Sequence, residues 1–93
     1  LNAFGPTAFT PDNDGHNDAW RMYTSTSVTS LEIRVYDRWG ALVFASNDPE
    51  EYWVGEVQGG SHYAPDGIYH YEAVLRGDAY QVKTLQGHIL LIR

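Results

Sequence analysis

Leu31-Glu32-Ile33-Arg34-Val35-Tyr36-Asp37-Arg38-Trp39-Gly40-Ala41-Leu42-Val43-Phe44-Ala45 decides the fold class. Leu31, Ile33 and Val35 alternate with Glu32, Arg34 and Tyr36, the period of a strand with one face buried. Asp37-Arg38-Trp39-Gly40 reads as a turn, in which Gly40 can take positive φ. Ala41 to Ala45 returns as a second strand. The stretch is therefore predicted to be a β-hairpin.

The same pattern recurs outward from this hairpin. From Ile68 to Leu75, Tyr69, Tyr71, Ala73 and Leu75 share one face, while His70, Glu72 and Arg76 share the other. Gly77-Asp78 reads as a two-residue hairpin turn, Ala79 to Thr84 as the returning strand, Gly87 as a bulge or bend, and His88 to Arg93 as a last strand. Toward the N-terminus, strands are predicted at Ala19 to Thr26 and near Leu1 to Phe9. Between the hairpins, Ser46 to Pro65 is rich in Asn, Asp, Pro, Gly and Ser. It reads as a long loop with a short strand near Trp53. No segment has a helical period. Six or seven short strands separated by turn signals predict an all-β sandwich.

Composition sets further bounds. With 93 residues the chain is one domain, spanning 1–93, with room for a modest core. It has no cysteine, so no disulfide framework holds it. Its first residue is Leu1, and no leader follows, so a piece of a longer protein is expected. Twelve acidic against six basic residues give a formal net charge of -6, and the basic residues form no run. Such a balance repels phosphate backbones and argues against nucleic-acid binding. The terminal apolar run, Ile89 to Ile92, is far too short to span a membrane, so no membrane insertion is expected.

Four stretches stand out in order. They are Ala8-Phe9-Thr10-Pro11-Asp12-Asn13-Asp14-Gly15-His16-Asn17-Asp18, Val35 to Phe44, Ala64-Pro65-Asp66-Gly67-Ile68-Tyr69-His70-Tyr71, and Leu85-Gln86-Gly87-His88-Ile89-Leu90-Leu91-Ile92-Arg93. Together they resemble the gliding-motility-associated C-terminal domain, the type B sorting domain of the type IX secretion system. The resemblance covers nearly the whole chain. It implies an immunoglobulin-like sandwich of about seven short antiparallel strands at the end of a larger surface or secreted cargo, such as an adhesin or a polysaccharide-degrading enzyme. It implies export from the periplasm to the surface or medium, with the outer-membrane translocon and a dedicated outer-membrane protein as partners. The domain would be a monomer within its cargo chain. Trp53-Val54-Gly55 departs from the Trp-Asp-Gly common in the family's middle loop.

The residues expected to carry recognition are Arg38, Trp39, Gly40, Gly67, Tyr69, Gly87 and the terminal Leu91, Ile92 and Arg93, several of them by holding the fold. Trp39 has two readings, a recognition knob or a corner covering the sandwich end, with Arg38 stacked on an aromatic ring. Asp12, Asp14 and Asp18 resemble the start of a calcium loop. Aligned as such a loop, however, the closing bidentate acid is replaced by Arg21, and a polar turn with Asx capping is the simpler reading. No cofactor beyond this candidate calcium is expected. Arg76-Gly77-Asp78 spells an adhesion tripeptide at a predicted hairpin tip, a match that chance and turn chemistry also produce. His16, His62, His70 and His88 show no zinc-ligand spacing. No nucleophile elbow or marked acid pair points to an enzyme. An accessory carbohydrate-binding or adhesion module is the alternative function, with Trp20 or Trp53 as the stacking platform. A structural spacer is a third reading.

Overall fold

The structure is a computed structural model that describes residues 1–10, 19–48, 50–57 and 64–92. The strands are β1 (Ala3–Phe4), β2 (Ala8–Phe9), β3 (Tyr23–Thr24), β4 (Val28–Tyr36), β5 (Leu42–Ser46), β6 (Gly67–Gly77) and β7 (Val82–Leu91). Among the described residues there is no helix, and hence none long and apolar enough to cross a membrane.

Five strands form one sheet in the order β2-β7-β6-β4-β5, and β1 pairs with β3 in a second. The order β7-β6-β4-β5 is that of the G-F-C-C′ strands of a variable-type immunoglobulin sandwich. The opposite layer is β1 and β3, extended by an isolated antiparallel bridge between Trp20 and Trp53. The expected all-β sandwich is thus present.

Alternation explains the inner face of the large sheet. Leu31, Ile33 and Val35 of β4, Tyr69, Ala73 and Leu75 of β6, and Ile89 and Leu91 of β7 are buried. They meet Trp20, Met22 and Trp53 from the other layer in one core. Trp53 is its hub, with ring centroids 5.3 Å from Phe9, 6.3 Å from Phe44 and 5.2 Å from Tyr69. Each buried indole N–H has a partner: Trp20 Nε1 donates to Pro6 O at 2.8 Å, and Trp53 Nε1 to Glu56 O at 2.8 Å. Truncating such a ring to alanine removes about 3–5 kcal/mol, because the cavity cannot collapse around it.

Four details depart from the sequence reading. The first segment is two strands, because Pro6 cannot donate to a ladder. The chain changes sheets at Gly5-Pro6, so β1 pairs with β3 and β2 runs parallel to β7. One pairing of the sandwich is therefore parallel where only antiparallel ones were expected. Second, the Ala19–Thr26 strand shrinks to Tyr23–Thr24 and the Trp20 bridge. Third, the β6–β7 turn lies beyond Gly77-Asp78. Ala79 and Tyr80 take φ of 58° and 61°, with Gln81 N–H donating to Asp78 O at 3.2 Å. Fourth, β7 passes Gly87 with no bulge or bend: its register with β6 is unbroken from Val82 to Leu91. Gly87 is needed for a different reason. A Cβ there would lie 2.6 Å from the Tyr71 ring, which is backed by Trp20 with centroids 5.4 Å apart.

Candidate functional site

The β4–β5 turn is built by one carboxylate. Asp37 Oδ1 accepts from Trp39 N–H and from Ala41 N–H, both at 2.9 Å. Asp37 O accepts from Gly40 N–H at 3.0 Å, and Asp37 N–H donates to Ala41 O at 2.9 Å. Gly40 closes the loop at φ 84°, a conformation that costs any other L-residue about 1–2 kcal/mol. This is Asx capping of a tight turn. Its effect is to fix the backbone under Arg38 and Trp39.

On that support Trp39 stands 81% exposed. The Arg38 guanidinium lies over its ring, 5.3 Å from the centroid. Of the two readings of Trp39, the ring does not cover the sandwich end; it projects from it. Trp20 and Trp53 are 0% and 2% exposed, so neither can be the sugar-stacking platform of the alternative reading. Trp39 is the one tryptophan of three that faces solvent.

A shallow cleft separates Trp39 from the approach to β6, with Pro65, Gly67 and Ile68 on its far wall. Tyr69 lies beneath this wall. It is buried, and its hydroxyl donates to Pro65 O at 2.5 Å. A tyrosine at a strand start bonding back to the backbone is the tyrosine corner of immunoglobulin-type sandwiches. Its side chain holds the corner and presents no surface of its own. Gly67 opens β6 at φ 150° and pairs with Leu91. Leu91 is buried and also pairs with Phe9 of β2. Ile92 N–H donates to Phe9 O at 3.2 Å, while the Ile92 side chain is half exposed.

Residues from all four sequence stretches therefore meet at one end of the sandwich: Phe9, the Asp37–Gly40 turn, Gly67 with Tyr69, and Leu91 with Ile92. Of the nominated residues, Arg38, Trp39 and Ile92 have exposed side chains there. Gly40, Gly67, Tyr69 and Leu91 shape the support. Gly87 lies farther along β7, under Tyr71. Arg93 and the candidate calcium ligands Asp12, Asp14 and Asp18 lie outside the described residues. Sequence reasoning missed Asp37 as the organiser of the turn, although an Asp opening a turn that ends in Gly is a recognised Asx signal.

The other motifs fall elsewhere. Arg76 and Gly77 of the adhesion tripeptide lie within β6, and the hairpin tip is Ala79-Tyr80, so the tripeptide is not displayed as one unit at the tip. Arg76 reaches Glu32 Oε2 at 3.9 Å. In Trp53-Val54-Gly55, Val54 is exposed, so the departure from the family's acid leaves the core intact. Arg21 stands between two rings, 4.5 Å from the Tyr23 centroid and 5.7 Å from that of Tyr52, and pairs with Glu50 at 3.3 Å. Hydrogen bonding to Tyr52, ahead of the Glu50 charge, holds its pKa above the ordinary arginine value.

Among the described residues no polar or charged side chain is buried in the core. Among the same described residues, no three His, Cys, Asp or Glu side chains gather to hold a metal. What the converged end offers is a rigid display of one aromatic ring, one cation and one short groove. Such a display suits recognition by another surface. No curated protein and no solved structure matches the chain. The family model of the CHU_C type IX secretion signal domain matches residues 3–91. This coverage takes in all seven strands and the converged end, and the chain belongs to the type IX secretion signal domain family, whose members are sorting signals for that export route.

Proposed function

We propose that the folded domain is read by outer-membrane components of the type IX machinery through the Trp39 end, with no catalytic step of its own. The cargo would pass through the periplasm and end at the cell surface or in the medium. The observation that carries this reading is Trp39 itself, 81% exposed on a turn locked by Asp37. A large apolar ring left in water on a rigid support, with an arginine beside it, has the composition of a binding hot spot. Burying such an anchor against a partner contributes about 2 kcal/mol or more. Family membership and the convergence of the four stretches at this end both support the reading. The terminal part of β7 contributes by backbone pairing: removing Leu91 to Arg93 would take away the partner of Phe9 in β2 and of Gly67 in β6, together with the buried Leu91 side chain, and is expected to abolish folding and export together.

The test is an export assay. Residues 1–93 are fused to the C-terminus of a periplasm-targeted fluorescent reporter in a host with type IX secretion, beside a translocon-null strain. Translocon-dependent reporter at the surface or in the medium is expected. Trp39→Ala, with folding verified by circular dichroism, is expected to leave reporter in the periplasm. Undiminished export of that variant would remove Trp39 from the recognition surface. Retention of the domain on a glycan array, lost in Trp39→Ala, would favour the carbohydrate-binding reading instead.

A further inference from the structure

His70 and His88 have no metal-ligand spacing in the sequence, yet they are direct partners across β6 and β7. The hydrogen bonds around them fix what kind of partners they are. Leu90 N–H points away from β6, to Thr7 O at 2.7 Å, and Ile92 N–H likewise to Phe9 O at 3.2 Å. Gly77 N–H points toward β7, to Gln81 O at 3.0 Å. Amide direction alternates along a strand, so the even-numbered residues of β7 turn their amides away from β6. His70 and His88 are thus a non-hydrogen-bonded pair, the type in which opposed Cα atoms come to about 4.5 Å and the side chains stand closest.

Both imidazoles are exposed on the outer face of the large sheet, opposite the core face of Tyr69, Tyr71 and Ile89. Tyr36 of β4 opposes His70 on its other side. Glu72 is the next residue of β6 on that face, and its carboxylate accepts from Gln86 Nε2 at 3.4 Å. Arg34 opposes Glu72 across β4, placing one cation in the next row.

We propose that His70 and His88 form a bidentate site for a late first-row divalent cation: Cu²⁺, Ni²⁺ or Zn²⁺. Two imidazoles whose Cβ atoms are about 4.5–5.5 Å apart on one face can converge on one ion at metal–nitrogen distances of about 2.0–2.1 Å without moving the backbone. Nitrogen ligands select these ions over Ca²⁺ and Mg²⁺, and the general affinity order places Cu²⁺ first. Water completes the shell from the solvent side, so the site is open. Binding clips β6 to β7 where β7 nears the edge of the sheet. It also stabilises the folded chain, since the unfolded chain does not hold the pair together. Protons compete for the same nitrogens, so affinity falls as pH is lowered.

The test is a titration of the chain with CuCl₂ and, separately, ZnCl₂, followed by calorimetry and by ¹H–¹⁵N NMR. One ion per chain is expected, with Cu²⁺ broadening centred on His70, His88, Tyr36 and Gln86. His70→Gln and His88→Gln are each expected to weaken binding by at least about tenfold, since even losing a group that only orients a ligand costs that much. Both positions are exposed, and thermal melts of the metal-free variants should match the parent. The double variant His16→Gln/His62→Gln should bind as the parent does. Absence of binding, unchanged affinity in both single variants, or loss of binding in the double variant overturns the site. Each result is independent of export.

Discussion

The two ends of the sandwich each carry a tight hairpin turn with an aromatic ring in solvent, and they are built in opposite ways. At one end Gly40 takes the positive φ, Asp37 caps the amides, and Trp39 stands on a relaxed backbone. At the other end Ala79 and Tyr80 both take left-handed φ, and Tyr80 is wholly exposed. Exposure alone would nominate Tyr80 over Trp39. The difference lies in what surrounds each ring. Trp39 sits where Phe9, Gly67, Tyr69 and Leu91 converge, beside a cleft and a stacked guanidinium. The recognition proposed for the Trp39 end needs a fixed support, and the Asp37-capped turn provides one.

The comparison can be broken most sharply by straining the relaxed turn. No atom lies within 4 Å of a Cβ built on Gly40, so Gly40→Ala tests backbone conformation alone. It is expected to cost about 1–2 kcal/mol in urea melts and to lower export by loosening the support of Trp39. A stability loss with full export would mean that the turn's geometry is structural only. The reverse change belongs to the other end. Tyr80→Gly relieves one left-handed residue and is expected to gain about 0.5–1 kcal/mol, with export unchanged. A drop in export there would move the recognition surface to the Tyr80 tip. Smaller still are the stability effects of Trp39→Ala and Tyr80→Ala. Both rings touch mostly water, so each should stay within about 0.5 kcal/mol of the parent. Only the first should reduce export.

Both hairpins were legible because their strands bury one face, and alternation records that burial directly. Leu31, Ile33, Val35, Tyr69, Ala73 and Leu75 are all in the core as the period requires. Two of the failures share a cause: a glycine whose purpose is space looks in sequence like a glycine whose purpose is a turn. Gly77 imitates a hairpin signal, but a Cβ on it would lie 2.5 Å from Leu1 Cδ2 and 2.8 Å from Ser27 O. The true turn uses Ala79-Tyr80, residue types that sequence reasoning does not place at left-handed φ. Gly87 imitates a bulge but makes room for Tyr71. The parallel β2–β7 pair is two residues long and leaves no periodicity. Of the site, the Arg38-Trp39-Gly40 turn was legible. Whether Trp39 covered the end or projected from it depended on packing across the sandwich, which no local pattern encodes. The His70–His88 pairing was hidden for the same reason, since it depends on a register set at the distant hairpin tip.

The smallest expected effect concerns Asp12, Asp14 and Asp18, which precede the Trp20 bridge. If the segment is a polar turn capped by its own side chains, adding Ca²⁺ in place of a chelator leaves the melting temperature of the chain unchanged. A calcium site would bind only the folded chain and raise it, by RT ln(1 + [L]/Kd), or about 2.7 kcal/mol of stabilisation at a hundredfold excess over Kd. The two readings thus separate as no shift against a rise. Asp14→Asn discriminates further: it keeps an Asx cap but removes a charge that a hard cation needs. A calcium-dependent rise in melting temperature that Asp14→Asn abolishes would establish the ion site.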